Sequence, residues 1–177
     1  LTARCRFSST PSRLRIENLQ GTLISQELRL EAPLDMTFSA TETAWPQTSL
    51  AFGPARLRAK GSITAEQASI SADLENMNPA LLRPLYPGLP SAIVSATLTV
   101  EGTPLDPDAR LNVNARELRT EETGLENLPD LNATAQLRLR RDSLEARASV
   151  AAASAKDLQI DANFSCPVRA GFFSLTF

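Results

Sequence analysis

The chain reads as an all-β protein: one long, curved, mostly antiparallel sheet folded into a trough with an apolar interior, with at most one short helix near residues 79–86. Three observations predict this. About ten short stretches alternate apolar and polar residues one for one, which puts the apolar side chains of each strand on a single face. Almost nothing between these stretches has the pattern of a covering helix. Several connections are only three or four residues long, too short for a parallel crossover, so their flanking strands pair antiparallel.

The N-terminal third offers Leu14-Ile16, then Leu28-Leu30-Ala32, then Leu34-Met36-Phe38-Ala40. Pro33 between the last two marks an edge, a bend or a bulge rather than an unbroken central strand. Leu50-Phe52 and Ala55-Leu57-Ala59 follow, separated by the turn signal Gly53-Pro54. Gly61 and Ile63 lead into Ala68-Ile70-Ala72-Leu74. In the middle, Asn78 is a good N-cap and Pro79 suits a first helical position, while Pro84 stops the helix after one or two turns. The apolar residues here, Leu81, Leu82, Leu85 and Tyr86, form either a lid or plug over one end of the sheet or a plain packed connection.

From Val94 onward the alternation is clean. Val94-Ala96-Leu98-Val100, Ala109-Leu111-Val113-Ala115, Leu131-Ala133-Ala135-Leu137-Leu139, Leu144-Ala146-Ala148-Val150 and Leu158-Ile160-Ala162-Phe164 are five successive strands, with a further run near 168. They are linked through 102–108, a longer acidic loop at 119–130 carrying Glu121, Glu122 and Glu126, then 141–143 and 154–157. A meander follows.

A two-layer sandwich or barrel is the usual home for many short alternating strands. Aromatic residues make up only 5% of this chain, with one Trp and one Tyr, too few large rings for an ordinary sandwich centre. The seven glycines include no Asn-Gly or Asp-Gly hairpin signal. An open curved sheet is therefore preferred, with the closed sandwich or stalk segment as the alternative. In the open form Leu98, Val100, Leu111, Val113, Leu137, Leu139, Val150, Ile160 and Phe164 line the groove. In the closed form the same residues pack on one another.

Composition narrows the function. A net charge of -2 on 177 residues gives no bulk attraction to nucleic acid. Arginines two apart, such as Arg13/Arg15 and Arg138/Arg140, are read as a solvated outer face with carboxylates across the strands. No apolar run approaches the ~20 residues that span a bilayer. Without an initiator Met or a signal-peptide layout, residues 1–177 read as a single domain excised from a longer protein. Cys5 and Cys166 lie near opposite ends, and nothing in the sequence places them within bridging range. Cys166 is read as out of step with Phe164, hence on the polar side unless Pro167 resets the register. Histidine is absent, as are nucleophile-elbow, phosphate-loop and metal-ligand spacings, and Asp106/Asp108 and Glu121/Glu122 lack partners, so no enzyme and no cofactor are expected.

The segment Leu74-Glu75-Asn76-Met77-Asn78, then Leu81-Leu82 with Leu85-Tyr86-Pro87 and Leu89-Pro90, runs into a strand ending at Gly102-Thr103-Pro104 with Pro107. Together with Asp130-Leu131-Asn132-Ala133-Thr134-Ala135 and the finish Phe164-Ser165-Cys166-Pro167-Val168, it resembles the C-terminal domain of the translocation and assembly module subunit TamB family, over residues 60–177. The resemblance implies a taco-shaped apolar sheet in a periplasmic, inner-membrane-anchored bacterial envelope protein, its anchor outside this chain. It also implies an Omp85-class outer-membrane partner, TamA. The expected roles are assembly of outer-membrane barrels such as autotransporters, or phospholipid transport between the membranes. The cargo would be phospholipid or unfolded outer-membrane protein strands, held in the groove without catalytic residues.

Overall fold

The computed structural model describes residues 2–9, 12–119, 130–152 and 159–167. Strands β1 (Thr2–Ser9), β2 (Ser12–Leu23), β3 (Gln26–Ala32), β4 (Leu34–Phe38), β5 (Glu42–Phe52) and β6 (Ala55–Thr64) come first. They are followed by β7 (Ala68–Met77), a 3₁₀ turn at Pro79–Leu82, β8 (Ser91–Thr103), β9 (Asp106–Arg119), β10 (Leu131–Arg140), β11 (Ser143–Ala152) and β12 (Gln159–Pro167). All twelve strands belong to one sheet, in chain order except that β4 lies beyond β3 and, like it, pairs with both β2 and β5. Every described pairing is antiparallel.

Pro33 thus breaks one long central strand into two pieces. Lacking an N–H, it cannot complete the ladder, and the chain bends there rather than at a sheet edge. Pro46 acts similarly inside β5, where the register slips between Trp45 and Thr48. Three further slips, at Leu74/Met77, Ser91/Ile93 and Leu131/Ala133, fall at the ends of β7 to β10 that share one rim. Asn76 and Glu117, with φ of 54° and 55°, sit at the same rim. Each extra residue on one strand bends it and increases the local twist. Lined up along a rim, these bulges curl the sheet into an open trough and not a barrel.

Among the described residues no second layer covers this sheet. The buried ones among them are four alanines, Ala51, Ala55, Ala68 and Ala92, and no large side chain is fully enclosed. A sandwich of these strands would bury Leu98, Leu111 and Leu137; here each is half-exposed. The chain exposes 12373 Å². A compact chain of 19.1 kDa would expose about 8,400 Å². The sandwich alternative is excluded.

Two readings of the N- and C-terminal strands change. β1 carries its own alternation, Ala3-Cys5-Phe7, which the sequence reading passed over. Cys166 shares the face of Phe164, because it lies two residues beyond it: Cys166 opposes Leu144 as Phe164 opposes Ala146. Both cysteines are free thiols, on the two outermost strands. The acidic residues Glu121, Glu122 and Glu126, the 154–157 link and the run near 168 lie outside the described residues.

The β2–β3 turn was invisible in the sequence. Leu23 pairs with Gln26, leaving Ile24 and Ser25 as a two-residue turn with φ of 52° and 60°. Positive φ at both positions is the hairpin geometry that Asn-Gly satisfies and a β-branched residue does not. Replacing Ile24-Ser25 by Asn-Gly is expected to stabilise the chain by about 1 kcal/mol, through relief of this strain. Chemical denaturation of the double variant checks it.

Candidate functional site

The pairing register aligns apolar residues into continuous rows across the sheet. Leu98 opposes Leu111, Leu111 opposes Leu137, Leu137 opposes Ala146, and Ala146 opposes Phe164. On one side of this row, Val100, Ala109, Leu139 and Leu144 run parallel to it. On the other runs a row of small residues, Ala96, Val113, Ala135, Ala148 and Ala162. Beyond that lie Val94, Ala115, Ala133, Val150 and Ile160. The nine residues named from the sequence as groove-lining therefore occupy one face of β8–β12.

The rows do not stop at β8. Ala96 continues to Leu74, Leu57, Leu50 and Leu30, and Val100 continues to Ile70, Gly61 and Trp45. The sequence reading had these strands but did not extend the floor through them; their matching alternation was the available signal. Trp45 lies directly over Gly61: a Cβ placed on Gly61 would come within 2.5 Å of Trp45 Cζ2. Glycine thus leaves room for the indole on the apolar face, an aromatic covering a strand glycine across the pair.

Exposure alternates with the same period. Along β3, and along β9 from Leu111 to Ala115, apolar residues are half-buried and the polar residues between them exposed. In a flat single layer both faces would meet water equally. Occlusion of the apolar face therefore reflects the curl toward it. Cover is thin at both outer strands: Phe7 of β1 is 71% exposed, and on β12 Ile160 is 62% and Phe164 59%.

The opposite face is polar and cross-linked by ion pairs. Arg13 forks onto Asp35, Arg58 onto Glu75 at 3.0 Å, and Arg56 reaches Glu31 at 3.4 Å. Asp108 accepts from Arg138 Nη2 at 2.6 Å and from Arg110 Nη2 at 3.1 Å. Apart from Arg110, which shares β9 with Asp108, these are the cross-strand carboxylate partners expected of spaced arginines. A shallow depression of about 410 Å³ on this face, among Asp73, Thr97, Asn112 and Gln136, follows from the saddle shape of a twisted sheet.

The hydrogen bond from Arg138, then that from Arg110, hold the Asp108 carboxyl well below its usual pKa. A group depressed in the folded state contributes stability above its unfolded pKa of about 3.9 and loses it as pH falls through the folded value. Asp108→Asn is expected to lower stability at neutral pH and to flatten its decline below about pH 4, where the unfolded-state carboxyl protonates. Urea midpoints measured from pH 7 down to pH 2.5 check this.

The lid candidates lie in the link between β7 and β8. Asn78 Oδ1 accepts from Ala80 N at 3.0 Å, capping the 3₁₀ turn, which packs on β8. Leu81 and Leu82 are half-buried, whereas Leu85 and Tyr86 are exposed. At the β9–β10 link, Arg119 Nε donates to Asp130 Oδ1 at 2.6 Å and ties the two strand ends together.

Among the described residues no three acidic, Cys or His side chains group as a metal site, and no helix is long and apolar enough to cross a membrane. What the geometry offers among the described residues is a long apolar surface with a charged back.

The family described as TamB, N-terminal domain, matches residues 11–164. No curated protein and no solved structure matches the chain. The match corrects the resemblance drawn from the sequence, which placed residues 60–177 in the C-terminal domain. The motifs behind that reading were alternation punctuated by Gly and Pro, which any strand of such a trough carries, and the matched region includes the N-terminal strands set aside there. The match spans most of the chain, which belongs to the TamB N-terminal domain family.

Proposed function

We propose that the chain is a periplasmic segment of an inner-membrane-anchored TamB-like protein, and that its trough carries phospholipid acyl chains toward the outer membrane. The observation that supports this is the set of apolar rows on one face, one of them unbroken from Leu30 in β3 to Ala162 in β12, left uncovered by any second layer among the described residues. The eleven side-by-side strand positions, at about 4.8 Å each, give a trough roughly 50 Å long. That exceeds the length of one lipid tail, so the surface suits a conduit better than an end-closed pocket. Each methylene withdrawn from water on the floor is favourable by roughly 0.8 kcal/mol. TamA is the outer-membrane partner this reading supplies.

Trp45 is the only tryptophan and lies on the apolar face. Phospholipids brominated in their tails are expected to quench its fluorescence, and organic extraction of the purified chain to release phospholipid detectable by mass spectrometry. Absence of both, with photo-crosslinkers at Leu111 and Leu137 capturing only protein, rejects the lipid reading. A second cargo has one observation in its favour: β1 and β12 each have an unpaired edge among the described residues, where an unfolded outer-membrane strand could add to the sheet. Crosslinks confined to β12 would favour it.

A further inference from the structure

Two antiparallel neighbours need a link of only two to five residues, and several links here, such as 53–54, 104–105 and 141–142, are that short. The link between β7 and β8 runs from 78 to 90, thirteen residues. Its base is held firmly. Asn78 caps the 3₁₀ turn, Leu85 N and Tyr86 N both donate to Leu82 O at 2.9 and 3.0 Å, and Arg83 Nε donates to Leu89 O at 2.8 Å, closing the loop on itself. Pro84, Pro87 and Pro90 restrict it further.

This fixed loop nevertheless displays two large side chains to water, Leu85 at 61% and Tyr86 at 65%. It springs from the rim at the Met77–Val94 pair, where the apolar rows of β7 and β8 end. Asn76, with φ of 54°, precedes the loop, and Gly88, inside it, has φ of 89° and nothing near the place a Cβ would occupy. The part between these two points, which includes Leu85 and Tyr86, can turn with little internal change.

We propose that residues 78–90 form a strap that closes over an acyl chain at the β7–β8 rim of the trough, with Leu85 and Tyr86 as the residues that touch it. This rests on the lipid reading above and adds the element that retains the tail. An acyl chain is the occupant favoured because the loop adjoins the ends of the apolar rows and offers two apolar side chains with no carboxylate between Asn78 and Pro90.

Tyr86 is the only tyrosine, so its chemistry reports on the strap alone. The test measures nitration of Tyr86 by tetranitromethane in the intact chain, free and loaded with brominated phosphatidylethanolamine, while Trp45 quenching reports loading independently. Nitration is expected to slow several-fold on loading. The double variant Leu85→Ser/Tyr86→Ser is expected to release lipid roughly tenfold faster, and Tyr86→Phe to release it at the original rate. Quenching of Trp45 with unchanged Tyr86 nitration overturns the strap and leaves the trough reading standing. No quenching at all removes the trough reading, and the strap with it.

Discussion

With acyl chains as the proposed cargo, Leu111→Glu is expected to empty the trough while leaving the sheet folded. Leu111 sits mid-row between Leu98 and Leu137, at the centre of the floor. In the unloaded chain a glutamate there keeps access to water, since no large side chain on this face is fully enclosed. The cost to folding should stay near 1 kcal/mol, the usual size of a substitution outside a sealed core. Against a lipid tail the same carboxylate would be desolvated without a partner, costing several kcal/mol, more than a hundredfold in affinity. Copurifying phospholipid should fall below detection while the far-ultraviolet spectrum and melting profile stay close to those of the parent. Leu137→Glu should behave alike. A folded variant that retains its lipid places the cargo elsewhere.

The largest effect on stability is expected at Gly61. Strand propensity alone favours replacing this glycine by valine, by up to about 1 kcal/mol. Packing opposes it: the added Cβ would lie 2.5 Å from Trp45 Cζ2 and 3.0 Å from both Cε2 and Cη2. Displacing a large ring from a fitted position costs about 1–3 kcal/mol, more for a β-branched residue than for alanine, so sterics win. Gly61→Val should lower the melting temperature by roughly 3–10 °C in a chain of this size and shift Trp45 emission to the red as the indole moves into water. A variant as stable as the parent would show that the ring has room to slide.

What could be read in the sequence was the regular half of the molecule. β8 to β11 were legible because strict alternation on both members of each pair fixes face and register together. The Gly53-Pro54 turn and the Asn78-Pro79 start were legible for the same reason: one residue type dominates the local geometry. Ile24-Ser25 was not, because the flanking ladder imposes a conformation its residues disfavour. The bulge at Trp45–Thr48 was hidden by Pro46, which makes a strand look unlikely. Of the candidate site, the alternation put the nine named residues in phase on one face, but it could not show that the rows continue through Leu74, Leu57 and Leu50, since that depends on the register of strands with irregular ends. The domain assignment failed on the same ground: a motif built from alternation says trough and does not say which part of one.

The absence of a second layer has a consequence for how the molecule comes apart. Each strand leans mainly on the two beside it, so stability is close to a sum over adjacent pairs, as in a one-dimensional array. Melting should begin at the outermost hairpins and peel inward, and no single sealed centre exists whose loss would collapse the whole. Such an architecture tolerates gain or loss of a hairpin at either end, which lets a protein built this way change its reach without redesigning its interior.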